Sequence, residues 1–266
     1  PCNQSAWQQV DALLTFSKIV QTELPSAVLL GPDTGARAWQ DWLDVYLPFS
    51  AMMRLHAVTH HVYLGVSRKN FNNHSALDGG IPEITWYAEH VRKLAPGAQV
   101  WAGENGPAGG GDDGTCGNNS ICGTYASAVW YADELGLRSR HGFAQHQRQD
   151  FIGGHYGLVD SPDSRRALSA FQPLRLRPDF WINFMWKRTI GTNVLNITTS
   201  SKMVRAYAFS GNPPSHFAAA ECSANDGLQL LLINLRDLDV AEVRLPALGT
   251  QVYSAWTMTP GILGPF

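Results

Sequence analysis

Gln99-Val100-Trp101-Ala102-Gly103-Glu104-Asn105-Gly106, followed closely by Gly109-Gly110-Gly111, is the stretch around which the rest of the chain reads. A short apolar run that ends on an acidic residue and a glycine-rich loop is how a buried parallel strand delivers a carboxylate to the mouth of a barrel or sheet. Glu104 is therefore the first candidate for a catalytic group. A solvated glutamate at a strand end is the plain alternative, and the neighbouring segments have to decide between the two.

On the N-terminal side, Leu55 to Leu64 reads as another strand. Alternation puts His61 and Tyr63 on one face and His60 and Val62 on the other. Two histidines and a tyrosine at a strand end exceed what core packing needs, although a hydrogen-bonded structural role for either histidine stays open. Ala27 to Asp33 reads as a short buried strand stopped by Gly31-Pro32, which leaves Asp33 as a second strand-end carboxylate or a turn former. Helices are expected over residues 6 to 23, with Trp7, Val10, Leu13, Leu14, Ile19 and Val20 at helical spacing, over 37 to 47, and from Pro82 to Leu94.

On the C-terminal side, a helix is expected from Thr124 to Leu135 with Gly136 as its stop. Arg140 to Gln149 reads as a strand running into Gly153-Gly154-His155-Tyr156-Gly157, and residues 178 to 190 as a helix. Alternating strands and helices imply an α/β layout with a parallel sheet, whose active groups gather at the strand ends. Beyond Gly191 the pattern changes. Met203 to Phe209, Leu228 to Leu235 and Ala241 to Leu245 read as short strands without an intervening helix, so an antiparallel β module is expected after a boundary near residue 192.

Composition narrows the function classes. Hydrophobic residues are 44% and charged residues 16% of the 266, which marks a globular chain. A formal charge of -2 with no long Lys/Arg run argues against a nucleic-acid partner and leaves no polybasic membrane patch. No transmembrane segment is visible, and peripheral membrane association stays open. Nine tryptophans suit the binding of sugar rings as well as core packing.

The four cysteines, Cys2, Cys116, Cys122 and Cys222, match no zinc spacing, and His60-His61 lack the i, i+4 spacing of a helical metal site, so no metal is expected. Cys116 and Cys122 are spaced to close a small disulfide ring. Glycosylation triplets begin at Asn3, Asn73, Asn118 and Asn196, and together with that ring they lean towards a secreted, extracellular or lysosomal protein.

Leu94 to Gly111 closely resembles the nucleophile segment of glycoside hydrolase family 79, the heparanase family. Further segments agree in the same order: Gly31-Pro32-Asp33, Thr59 to Tyr63, Leu135-Gly136-Leu137, Arg148-Gln149 with Gly153 to Leu158, Pro178 to Trp181, and Gly191 to Leu195. The resemblance implies the C-terminal half of a (β/α)8 TIM barrel over residues 1–191, followed by part of an antiparallel β-sandwich over 192–266. It implies retaining hydrolysis of a β-linked glucuronic acid in a glucuronide or glycosaminoglycan, with no cofactor. Glu104 then corresponds to the nucleophile, and the His60 to Tyr63 segment, including His61, to groups that orient it. Gly109, Gly110, Gln149 and Tyr156 correspond to the set around the uronate carboxylate and its neighbouring hydroxyls, and Asp33 is assigned to the same substrate-binding set.

Three departures are legible. The family's general acid is the Glu of an Asn-Glu pair, and Pro1-Cys2-Asn3 falls where that motif has just finished, so the acid is expected upstream of residue 1. Val62-Tyr63 replaces the paired tyrosines of animal members and looks like the plant β-glucuronidases. Ala36 to Asp44 carries one Arg and two Asp in place of a basic cluster, which weakens the case for a sulfated polymer as substrate. A non-catalytic carbohydrate-binding relative and a retaining hydrolase of another β-glycoside are the competing readings.

Overall fold

The structure is a computed structural model, and it describes residues 5–35, 40–63, 66–107, 120–152, 156–160, 175–211, 227–236, 240–244 and 255–260. The chain opens with α1 (Ala6–Glu23), β1 (Leu29–Gly35), α2 (Gln40–Tyr46), a 3-10 turn and the short α3 (Ser50–Met53). Then follow β2 (Leu55–Tyr63), α4 (His74–Leu77), α5 (Ile81–Leu94), β3 (Gln99–Gly106), α6 (Tyr125–Arg140), β4 (Phe143–Arg148) and α7 (Pro178–Thr189). β5 (Asn193–Leu195), β6 (Val204–Ser210) and β7 (Gln229–Asn234) complete the order.

β1 to β4 form a parallel sheet in chain order, and β5 to β7 a separate antiparallel one. The change of pattern expected near residue 192 is thus a change from parallel to antiparallel pairing. Helix ends follow local chemistry. At α1, the Ser5 hydroxyl accepts from Gln8 N at 3.3 Å while Gln8 Oε1 accepts from Ser5 N at 2.9 Å, a reciprocal cap worth about 1 kcal/mol. Pro82 sits in the first turn of α5, where its missing N–H costs nothing. Buried Ile84, Tyr87, Ala88 and Val91 make one stripe along α5, with the spacing that a helix needs to cover a sheet.

Two expectations are corrected. Gly136 does not end a helix; α6 runs through it to Arg140, and the chain turns at Gly142, where φ is +88°. Gly136 serves packing instead: a Cβ there would overlap the Tyr207 ring on β6. Tyr207 and Arg205 fasten the second sheet to α6, Tyr207 donating to Asp133 Oδ1 at 2.6 Å and Arg205 Nε to the same oxygen at 2.8 Å. The strand expected from Ala241 to Leu245 is also absent over its described residues, 241–244. Among the described residues they pair with no strand, and the exposed Arg244 bonds to exposed Glu242 two residues away.

Candidate functional site

Glu104 reaches its position through an irregularity in β3. Val100 and Ala102 are buried toward the helices, so plain alternation would send Glu104 the same way. The register prevents this: His60 pairs with Ala102, but His61 pairs with Glu104, leaving Gly103 as an extra residue. Such a bulge turns the following side chain over. Glu104 therefore shares the open face with His61, and Asn105 goes into the core beside Val62. A glycine inside a strand pattern is the sequence signal that marks this bulge.

Four of the residues singled out from the sequence meet there. Tyr63 donates its hydroxyl to Glu104 Oε1 in a short hydrogen bond, and His61 Nδ1 lies 3.5 Å from Glu104 Oε2. On its other side, His61 Nε2 is 2.8 Å from Asp33 Oδ2. Asp33, His61 and Glu104 come from three adjacent strands, at their C-terminal ends. Burial, then the bonds to Glu104 and Tyr156, pushes the Tyr63 phenol well above its ordinary value, so it stays protonated and donates. Gly106 gives the Tyr63 ring its room, since a Cβ there would come within 2.8 Å of Tyr63 Cε1.

Tyr156 stands beside this group, its ring centroid 6.2 Å from that of Tyr63. It is held by Arg148, whose Nη2 donates to Tyr156 O at 2.7 Å and to Asp179 Oδ2 at 2.9 Å. Arg148 Nη1 also donates to Gln149 O, and Gln149 N donates to Asn105 O at 2.9 Å. The half-buried Gln149 is thus tied to the end of β3. In the sequence, nothing sets Arg148 and Asp179 apart from the segments that contain them. They are the ion pair under the rim, and both side chains are 2% exposed.

His60 is not part of this group. It is fully buried on the helix side of β2, stacked on Tyr87 at 3.8 Å with Phe143 edge-on at 5.3 Å. Burial, then the charge of Arg138, pulls its imidazole well below the usual range, so it is neutral. Gly109 and Gly110 lie outside the described residues, as does Cys116; Cys122 is disulfide-bonded.

Among the described residues no cluster of three or more His, Cys, Asp or Glu is placed to hold a metal ion, and no helix is long and apolar enough to cross a membrane. A cavity of about 610 Å³ lies at the opposite end of the strands, lined by Val28, Leu29, Leu55, His56 and Ala98. It takes in none of the side chains gathered at Glu104.

The arrangement is a carboxylate restrained on both oxygens at the open end of a parallel sheet, and the fold is one found in glycoside hydrolases. A family 44 endoglucanase from Clostridium acetobutylium superimposes with a TM-score of 0.59 at 13% identity, over 88% of this chain and 50% of that one. A 4-O-α-L-rhamnosyl-β-D-glucuronidase from Fusarium oxysporum gives 0.53 at 16% identity, over 79% and 44%.

Sequence similarity is more specific. Heparanase-like protein 2 of Arabidopsis thaliana is 30% identical over 204 residues, 74% of this chain and 33% of the relative. Heparanase of Gallus gallus is 32% identical over 161 residues, 58% and 28%. Baicalin-β-D-glucuronidase of Scutellaria baicalensis is 26% identical over 167 residues, again 58% and 28%. The chain is a relative of heparanase and the heparanase-like proteins, and it spans about a third of the length of the curated relatives it matches first. No protein-family model matches it.

Proposed function

We propose that the whole protein is a retaining glycoside hydrolase acting on β-linked glucuronic acid, with Glu104 as its nucleophile. The observation that carries this is the carboxylate itself: at the open strand ends, Glu104 takes the Tyr63 hydroxyl on Oε1 and faces His61 on Oε2. A neutral phenol donating to a carboxylate stabilises the ionised form that must attack the anomeric carbon. Attack forms a glycosyl ester and releases the leaving oxygen, and water then cleaves the ester with net retention. Retention also needs a second carboxyl group about 5 Å from the first, to protonate the leaving oxygen. Asp33 is already engaged by His61, so the donor role goes to the Glu of the Asn-Glu pair that the family resemblance implies.

In this reading β1 to β4 are half of a (β/α)8 barrel spanning residues 1–191, and residues 192–266 belong to a β-sandwich beside it. Gln149 and Tyr156 face the uronate, and the resemblance adds Gly109 and Gly110 to the same set. The name of the Scutellaria relative, a β-D-glucuronidase, supports a glucuronide as substrate. Exposed Asn73 and Asn196, each heading a glycosylation triplet, and the disulfide at Cys122 support passage through an oxidising compartment. A secreted or lysosomal location follows from that.

The test is turnover of aryl β-glucuronides, β-xylosides and α-arabinosides by the full-length protein and by its Glu104→Gln variant. Glucuronide turnover that vanishes in the variant is expected. Retained turnover in the variant would remove Glu104 from the role, and preference for a pentoside would replace the substrate class.

A further inference from the structure

Asp33 was expected on the substrate, and the geometry gives it a different neighbour. Its backbone is in the left-handed region at φ 58°, which residues with a Cβ adopt only at a cost. It is also the extra residue of a bulge: Pro32 pairs with Thr59 and Thr34 with His60, so Asp33 has no partner on β2. The matching bulge on the other side of β2 is Gly103. These two irregularities meet across β2. A Cβ added at Gly103 would overlap Asp33 Oδ1 and approach Thr59 Cβ to 2.9 Å, so the missing side chain on one strand is the space the carboxylate of the other occupies.

What that space secures is His61. With Asp33 Oδ2 accepting from Nε2 at 2.8 Å, the ring is fixed with Nδ1 toward Glu104 Oε2 at 3.5 Å. Tyr63 holds the other oxygen, so the plane of the carboxylate is set from both sides. We propose that Asp33 is a positioning residue that orients Glu104 through His61, and that Gly103 is the slot that admits it. This rests on Glu104 being the nucleophile. Asp33 makes no contact with substrate in this scheme. A carboxylate behind a functional histidine fixes both ring orientation and the nitrogen that bears the proton, and loss of such a partner costs roughly 10- to 100-fold.

The experiment uses the full-length protein and an aryl β-glucuronide with a good leaving group. Asp33→Asn tolerates the left-handed backbone and removes only the charge; it should lower kcat by about 10- to 100-fold with KM unchanged. Gly103→Ala should reproduce that loss, since the added methyl meets the Asp33 carboxylate and Thr59, and Asp33→Glu should recover part of it. A raised KM with intact kcat in Asp33→Asn would make Asp33 a substrate contact and overturn the inference. Full kcat in Gly103→Ala would remove the slot.

A wild-type protein inactive on every glucuronide would instead sink the glucuronidase reading. The imidazole ¹⁵N resonances of His61 then decide separately: a shift between wild type and Asp33→Asn supports the coupling, and identical spectra overturn it.

Discussion

Consecutive residues of the same two strands lead opposite lives here. His61 and Glu104 lie on the open face among Asp33, Tyr63 and Tyr156, each with 29% of its side chain exposed. His60 and Asn105, one residue away, lie on the closed face with nothing exposed. Asn105 there donates to the His146 ring, His146 Nε2 lies 4.0 Å from Glu134 Oε2, and Glu134 pairs with Arg138 at 2.8 Å. Burial pulls the His146 imidazole down to about 4. Burial pushes the Glu134 carboxyl up, and Arg138 and His146 outweigh it, so the net value is below the usual range. Each face is polar, but the open one keeps its charge where a ligand can reach it and the closed one spends its charge on internal pairing. A cluster of titratable side chains is thus a functional hint only with its face attached.

The separation can be broken by substitutions read in both turnover and stability. The largest effect is expected at Glu104. Glu104→Gln should lower kcat on an aryl β-glucuronide by on the order of 10⁴- to 10⁶-fold, the range seen when a nucleophile is removed, while the urea midpoint stays near that of the wild type. Arg138→Met, on the closed face, should do the reverse. It strands Glu134 in the core and should cost about 3–5 kcal/mol by urea unfolding, with kcat of the folded protein unchanged. An Arg138 variant that lost turnover and kept its stability would dissolve the distinction between the faces.

Tyr63→Phe removes one hydrogen bond to a charged group, worth about 1.5–3 kcal/mol, so kcat/KM should fall by roughly 10- to 100-fold with folding intact.

The smallest effect is in pH. Unfolded imidazoles take up protons below about 6.5, whereas folded His146 does so only near 4 and folded His60 lower than its ordinary value. The unfolded state therefore binds more protons in that window, and stability should fall as pH drops from 6.5 toward 4. His146→Gln should flatten the fall in a series of urea titrations, and a Glu104→Gln protein should retain it.

Much of this organisation is legible in the residues. Apolar spacing and proline punctuation locate α1, α5 and α7 to within a residue or so, because those helices end where the chain chemistry stops them. The split of His60 from His61 also follows from simple alternation along β2. Glu104 at the mouth of β3 is legible too, but the bulge that turns it there is not: a two-residue period carried through Gly103 would point it into the core. Gly136 misleads for a related reason: its purpose is contact with Tyr207, more than seventy positions away, and nothing local distinguishes that from a helix stop. That Asp33 lies against His61 is not legible for the same reason, since its neighbour is chosen by the pairing of strands. The second sheet was legible in β6 and β7, but three-residue β5 is too short to carry a pattern of its own.

The extra residue in β3 carries one more consequence. Which group lies on the open face is a matter of odd and even: strict alternation through Gly103 would send the Glu104 carboxylate to the helices and the Asn105 amide outward, whereas with Gly103 set aside as the extra residue Ala102, Glu104 and Asn105 keep step with His60, His61 and Val62. At position 103 it is therefore the identity of the residue that matters more than its presence, because a side chain there would fill the space of the Asp33 carboxylate.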